Sequence, residues 1–235
     1  MKKEIIKLEN VWKTYIIGSI EVNALQGLNL NVEEGEFLAI MGPSGSGKST
    51  AVNMIGCLDI PTKGSIILDN HDISKLSESE LARIRGKKIG FIFQQFNLIS
   101  TLSAMENVML PMIFQNVPEK ERIKRTSKLL ELVELGERTN HKPTELSGGQ
   151  QQRVAIARAL ANNPDVIIAD EPIGNLDSKT GTIILDFLQE LHKKENKTII
   201  MVTHDANLAK IAERTEFLRD GRIVKSLKNH AGEKK

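Results

Sequence analysis

The sequence predicts an α/β protein, and three features carry that prediction. Residues 35–41 are almost wholly apolar, as in a strand covered on both faces of a parallel sheet, and they run through a glycine-rich turn into helically spaced Val52, Ile55 and Leu58. Two more apolar strands, 165–170 and 198–203, flank an amphipathic helix at 179–194, which is the pattern of a βαβ crossover. Between about 95 and 144 the strand signals stop and helices are expected at 103–114 and 119–135, so a helical segment is inserted into the α/β frame.

The remaining elements follow in order. Short strands are expected at 5–8 and 22–30, separated by Gly18-Ser19, and Glu33-Glu34-Gly35 leads into the third. A helix at 49–58 ends before the Pro61-Thr62-Lys63-Gly64 turn; a strand at 65–69, a helix at 78–85 and a strand at 88–94 come next. Pro118 and Gly136-Glu137 punctuate the insert, and 151–160 reads as a helix. The whole chain is then one domain: a core of 1–94 and 151–225 whose N-terminal part is a β subdomain, a helical subdomain at 95–150, and a frayed, charged tail at 226–235.

Composition excludes several classes. With 32 Lys+Arg against 30 Asp+Glu among 235 residues, the chain has no gross basicity to hold nucleic acid. At 40% hydrophobic and 26% charged it is neither disordered nor fibrous. Its apolar runs fall far short of the roughly 20 residues of a spanning helix. The first residues hold no apolar signal core before Glu9 and Lys13, which points to the cytoplasm. The one cysteine, Cys57, forms no intrachain disulfide and is expected to be a small buried side chain.

The chemistry begins at Gly42-Pro43-Ser44-Gly45-Ser46-Gly47-Lys48-Ser49, a G-x-x-x-x-G-K-[ST] string lying between a strand and a helix. Glycines let successive N–H groups turn inward around a phosphate, and the helix start that follows adds its positive dipole end. Lys48 supplies a cation for the β- and γ-phosphates, and Ser49 a hydroxyl for Mg²⁺. Asp170 closes an apolar strand, where a parallel sheet presents its ligand end, and can hold a Mg²⁺ water. Glu171 beside it can accept a proton from an attacking water. On its own the Asp-Glu pair fits a solvated strand end; the phosphate loop in the same chain favours the functional reading.

Leu146-Ser147-Gly148-Gly149-Gln150, followed by the helical run 151–160, decides among phosphate-loop proteins. Ser147 and two glycines opening a helix make either a plain capped start or a second anion-binding N-terminus. With that pentapeptide just upstream of the Asp170 strand, the chain resembles the ATP-binding cassette (ABC) transporter ATPases over nearly its whole length. The resemblance implies a P-loop NTPase fold with a RecA-like core, an antiparallel β subdomain and an inserted α-helical subdomain. It also implies ATP hydrolysis with Mg²⁺, and it assigns residues one by one. Tyr15 matches the aromatic that stacks on adenine, although from the residues alone it fits a strand surface equally well. Gln94 matches the glutamine that reaches Mg²⁺ and the attacking water, beside Ser49 and Asp170 as metal ligands. His204 looks like the histidine that contacts the γ-phosphate and steadies Glu171. Thr50 completes the phosphate loop, and Asp177 matches a loop that crosses to a second subunit. Ile173 departs from the threonine usual in close relatives, with local packing as the point at issue.

Further implications concern partners. Ser147, Gly148, Gly149 and Gln150 of one copy are expected to close on the ATP held by 42–50 of another, in a two-fold head-to-tail homodimer. Integral membrane subunits are expected to dock near 94–112, where Phe96, Leu98, Ile99 and Leu102 are either contact surface or insert core. Phe93-Gln94-Gln95-Phe96-Asn97-Leu98-Ile99 and Gly174-Asn175-Leu176-Asp177 look like the lipoprotein-releasing, macrolide-export and cell-division types, which places the chain peripherally on the cytoplasmic face of a membrane. The competing expectations are a regulatory division-type ATPase and a soluble ATP-driven clamp.

Overall fold

A computed structural model describes residues 3–229. In chain order the elements are β1 (Glu4–Ile17), β2 (Ile20–Glu33), β3 (Phe37–Met41), α1 (Lys48–Ile55), β4 (Lys63–Leu68), β5 (His71–Asp72), α2 (Glu78–Lys88) and β6 (Ile89–Ile92). They continue with α3 (Ala104–Phe114), α4 (Glu119–Leu132), α5 (Gly148–Leu160), β7 (Val166–Asp170), α6 (Ser178–Glu195), β8 (Thr198–Thr203), α7 (Ala206–Ala209), β9 (Arg214–Arg219) and β10 (Arg222–Lys228). The chain divides into two compact units, one running to Ala82 and resuming at Gln189, the other Arg83–Leu188.

The first unit holds an antiparallel sheet in the order β2-β1-β4-β5. Its long hairpin turns at Gly18, whose φ of 63° suits glycine, and sets Tyr15 opposite Val22 and Ile17 opposite Ile20. Leu8, Val11, Leu25, Leu28 and Leu30 are buried in it. In the same unit β3 pairs in parallel with β8 and with β9. All five residues of β3 and all six of β8 are buried, as the unbroken apolar runs predict for strands covered on both faces. The β9–β10 hairpin turns on Asp220-Gly221, both at positive φ, and corrects the expected frayed tail. Ser226, Leu227 and Lys228 pair with Glu216, Thr215 and Arg214, and the Asn229 amide donates to Ala209 O and Ala212 O; residues 230–235 lie outside the described ones. Backbone pairing and the Asn229 amide hold this charged stretch. Cys57 is buried, as expected.

The second unit pairs β6 with β7 in parallel, Ile89 opposite Val166 through Ile92 opposite Ala169, and adds α3, α4 and α5. A capping box between Ser103 and Glu106 starts α3. Asn107, fully buried, accepts from Ile99 N and donates to Ile99 O, Leu102 O and Ser103 O, so the loop before α3 is fixed by one amide. Among the described residues no helix is long and apolar enough to cross a membrane.

Candidate functional site

The phosphate loop lies between β3 and α1 in the first unit. Gly45 and Gly47 take φ of 77° and 98°, conformations that L side chains avoid. A Cβ on Gly47 would stand 2.5 Å from Ala24 O, and one on Gly42 would strike Leu218 O. Gly47 leaves the start of α1 with no side-chain cap, so its N–H groups remain for a ligand. Lys48 curls back over the loop and donates to Gly42 O at 2.7 Å and Pro43 O at 2.8 Å. Ser46 Oγ is buried without a hydrogen-bond partner. Ser44, Ser49 and Thr50 line a cavity of about 430 Å³ together with Val22, Asn23 and Gln26. A concave, glycine-walled cradle with one ammonium and a vacant helix start fits a polyphosphate.

Two residues outside the sequence-derived set, Asp220 and Gly221, also line this cavity. Gly221 N donates to Ser46 O at 2.9 Å and Gly221 O accepts from Gln26 N at 3.0 Å, so the β9–β10 turn buttresses the loop from behind. Its Asp-Gly dipeptide is the sequence signal that marks a tight hairpin turn. Also in this unit, Tyr15 is half-buried on β1 with its hydroxyl donating to Asp59 Oδ2 at 3.1 Å. Burial first, and then the Asp59 charge, push the Tyr15 phenol up. His204 is exposed immediately after β8.

The second unit gathers the other predicted residues around α5. Ser147 caps that helix by accepting from Gln150 N at 3.3 Å, and Gln150 Oε1 accepts from Ser147 N at 2.9 Å. A Cβ on Gly149 would stand 2.5 Å from Thr180 Cγ2, and Thr180 in turn donates to Asp177, so the starts of α5 and α6 abut. Asp170 ends β7, and Glu171 follows in the left-handed region at φ 47°. The strain of such a conformation in a glutamate, about 1–3 kcal/mol, is held by its surroundings. One holder is Gln152 of α5, fully buried, whose Nε2 donates to Pro172 O at 2.6 Å.

Gln94 is exposed after β6, with Asn175 Nδ2 donating to its carbonyl at 2.9 Å. Arg158 of α5 donates to Phe96 O at 2.8 Å and Asn97 O at 2.5 Å, and burial lowers its pKa from the usual guanidinium value. One helix therefore grips both the segment after Gln94 and the turn after Glu171. Phe96, Leu98 and Leu102 are half-buried and Ile99 is exposed. The departing residue, Ile173, lies beside Gly181 of α6, where an added Cβ would meet its Cδ1 at 3.4 Å and its Cβ at 3.5 Å.

Comparison with known proteins bears on this arrangement. The ABC transporter family model matches residues 25–174, a stretch that contains the phosphate loop, Ser147–Gln150 and Glu171. The chain is 56% identical over 227 residues to MJ0796, an uncharacterized ABC transporter ATP-binding protein of Methanocaldococcus jannaschii, covering 95% of this chain and 97% of that one. It is 48% identical over 220 residues to the macrolide export ATP-binding/permease protein MacB of Brucella melitensis, covering 94% of this chain and 34% of that protein. A dimeric post-hydrolysis structure of the MJ0796 cassette bound to ADP and Pi superposes with a TM-score of 0.89 at 52% identity, over 97% of this chain and 100% of that one. Identity of this order along almost the full length, with the glycine-rich loop inside the matched stretch, makes the chain a member of the ABC transporter family, one of its ATP-hydrolysing ATP-binding subunits.

Proposed function

We propose that two copies of this chain close head to tail around two ATP molecules, and that hydrolysis reopens them to drive separate membrane-spanning subunits in exporting or extracting a substrate. The observation that carries this reading is that one chain holds an uncapped, cation-bearing helix start at Gly47 and a second glycine-rich helix start at Ser147. The dimeric ADP- and Pi-bound relative supports the two-copy arrangement, and the MacB relative supports a permease partner. This chain matches 34% of the length of MacB, and in this reading the permease is supplied by partner subunits. The working position is then the cytoplasmic face of a membrane, as in the macrolide-export and lipoprotein-releasing types.

In this reading Gly42, Pro43, Ser44, Gly45, Ser46, Gly47 and Thr50 wrap the phosphates and Lys48 neutralises their charge. Tyr15 stacks on the base. Ser147, Gly148, Gly149 and Gln150 of the second copy, with Asp177 beside them, close on the γ-phosphate. Glu171 accepts the proton of the attacking water as the bond from the γ-phosphorus to ADP breaks, while His204 and Gln94 orient the reactants.

No group of three or more His, Cys, Asp or Glu among the described residues is arranged to hold a metal. The hydroxyl of Ser49, the amide oxygen of Gln94 and the carboxylate of Asp170 are hard oxygen donors that would hold Mg²⁺, an ion that takes its other ligands from water and phosphate. Its chemistry there is neutralisation of the phosphate oxygens.

Size-exclusion chromatography of the Glu171→Gln variant tests the proposal. With ATP it elutes as a dimer and without ATP as a monomer, while kcat falls by about a hundredfold or more. A variant that stays monomeric in ATP and hydrolyses at the wild-type rate overturns the mechanism.

A further inference from the structure

Tyr15 ends a set of contacts that begins behind the phosphate-loop helix. Its hydroxyl donates to Asp59 Oδ2 at 3.1 Å. Asp59 Oδ1 meets Lys13 Nζ at 2.6 Å, and that ammonium lies 5.1 Å from the centre of the Tyr15 ring. Lys13 also donates to Ile60 O at 2.9 Å. The participants come from β1 and from the segment that follows α1.

This arrangement fixes the ring in two ways. The hydroxyl is held by Asp59, so the phenol cannot turn away from the sheet without breaking that bond. The ammonium covers one face of the ring, which leaves the other for a base. Val22, the direct cross-strand neighbour of Tyr15, lines the phosphate-loop cavity, so the pair extends that cavity along the hairpin. A cation behind an aromatic ring also draws its π density back, and the free face then repels a purine's π cloud less.

We propose that Lys13 and Asp59 are positioning residues for the nucleobase: they clamp Tyr15 in its stacking orientation and tie it to the segment that follows the phosphate-loop helix. The clamp rests on the reading of Tyr15 as the base platform. Its effect is preorganisation, since a ring already held loses no rotamer freedom when the base arrives, and this is worth about two- to tenfold in affinity.

The test compares two ligands, ATP and base-free tripolyphosphate, by equilibrium titration of Lys13→Met, Asp59→Ala, Tyr15→Phe and Tyr15→Ala. The first three are expected to weaken ATP about two- to tenfold. Lys13→Met and Asp59→Ala should leave tripolyphosphate affinity and kcat at saturating ATP unchanged. Equal weakening of both ligands overturns the clamp, because the residues then support the loop as a whole. If Tyr15→Ala weakens ATP while the other three do not, the clamp is overturned and the stacking reading stands. If Tyr15→Ala leaves ATP affinity unchanged, the stacking reading falls and the clamp with it. Should Asp59→Ala fail to fold, Tyr15→Phe and Lys13→Met decide the matter.

Discussion

Helix α1 begins after Gly47, which has φ 98° and offers no side-chain cap, whereas α5 begins after Ser147, which closes a reciprocal capping box with Gln150. Both starts carry the same four unsatisfied N–H groups and the same positive dipole end. At α1 the glycine backbone leaves them for an anion, and Lys48 adds a full charge. At α5 two of the donors are already answered from within the protomer. An anion arriving at α5 meets a start partly closed by the Ser147–Gln150 box, while one arriving at α1 displaces only the hold of Lys48 on two carbonyls. The difference orders the events proposed above: ATP binds first at α1, and α5 of a second copy joins a nucleotide already in place.

The largest effect is expected where the comparison is sharpest. Lys48→Met removes the ammonium at the α1 start, so kcat/KM for ATP should fall by about a thousandfold, roughly 4 kcal/mol of transition-state stabilisation. Thermal stability should hardly move, because the ammonium bonds only to Gly42 O and Pro43 O at the loop surface. A loss under tenfold in steady-state hydrolysis would mean that the dipole and backbone meet the phosphate charge alone.

Alanine scanning of the two glycine-rich starts should separate them on stability. Gly47→Ala forces a side chain to φ 98° with its Cβ 2.5 Å from Ala24 O, at a cost of about 2–3 kcal/mol. For a chain of this size that lowers the melting temperature by about 4–12 °C. Gly148→Ala meets only the Phe96 ring at 3.7 and 3.9 Å, ordinary contact, and should melt within about 2 °C of wild type. Equal destabilisation by the two substitutions would show that the backbone of α5 is as constrained as that of α1.

Ser147→Ala is a smaller perturbation. It deletes the hydroxyl that accepts from Gln150 N, a loss of about 1 kcal/mol in unfolding free energy measured by urea titration. ATP affinity of the monomer should stay at the wild-type value, since α1 is untouched, while the ATP-dependent dimer of a Glu171→Gln background should weaken. Reduced monomer affinity would contradict the order of binding drawn from the two helix starts.

The α1 start was legible because its cause is local: strand, glycine turn, lysine and helix follow one another within 37–55. The same locality made β3, β7 and β8 readable as unbroken apolar runs. β9 and β10 were not readable in this way, because buried charge imitates surface. Arg214 Nε donates to Glu36 Oε1 at 2.7 Å and its guanidinium also binds Glu216, so Glu36 and Glu216 are buried at residues a hydropathy pattern assigns to solvent. Tyr15 shows the same limit within the site. Its fixing partner, Asp59, lies in a different element, and nothing near Tyr15 in the sequence announces it. Ser147 was legible as a cap but not as one already satisfied by Gln150, a distinction that only side-chain geometry supplies.

A third helix start refines the contrast by degree. Asp177 precedes α6 and accepts from Lys179 N at 3.1 Å and Thr180 N at 3.0 Å with Oδ1, and from the Thr180 hydroxyl at 2.6 Å with Oδ2. The Thr180 hydroxyl chiefly, and then the Thr180 N–H, hold this carboxyl below its ordinary value of 3.8. A depressed pKa means that the folded chain binds the proton less readily than the unfolded one. The stabilisation is therefore complete above the ordinary value and fades as pH falls through the lower folded value. In Asp177→Asn the amide oxygen still accepts from the N–H groups, so behaviour at neutral pH should match wild type. The acid slope should differ: between about pH 5 and pH 3 the wild type should lose melting temperature more steeply than Asp177→Asn. Identical slopes would mean that the charge on Asp177 adds nothing to the cap. The steeper wild-type slope would establish a graded series, in which α6 is closed by a carboxylate and α5 by a neutral box, and α1 alone is left open for the phosphates.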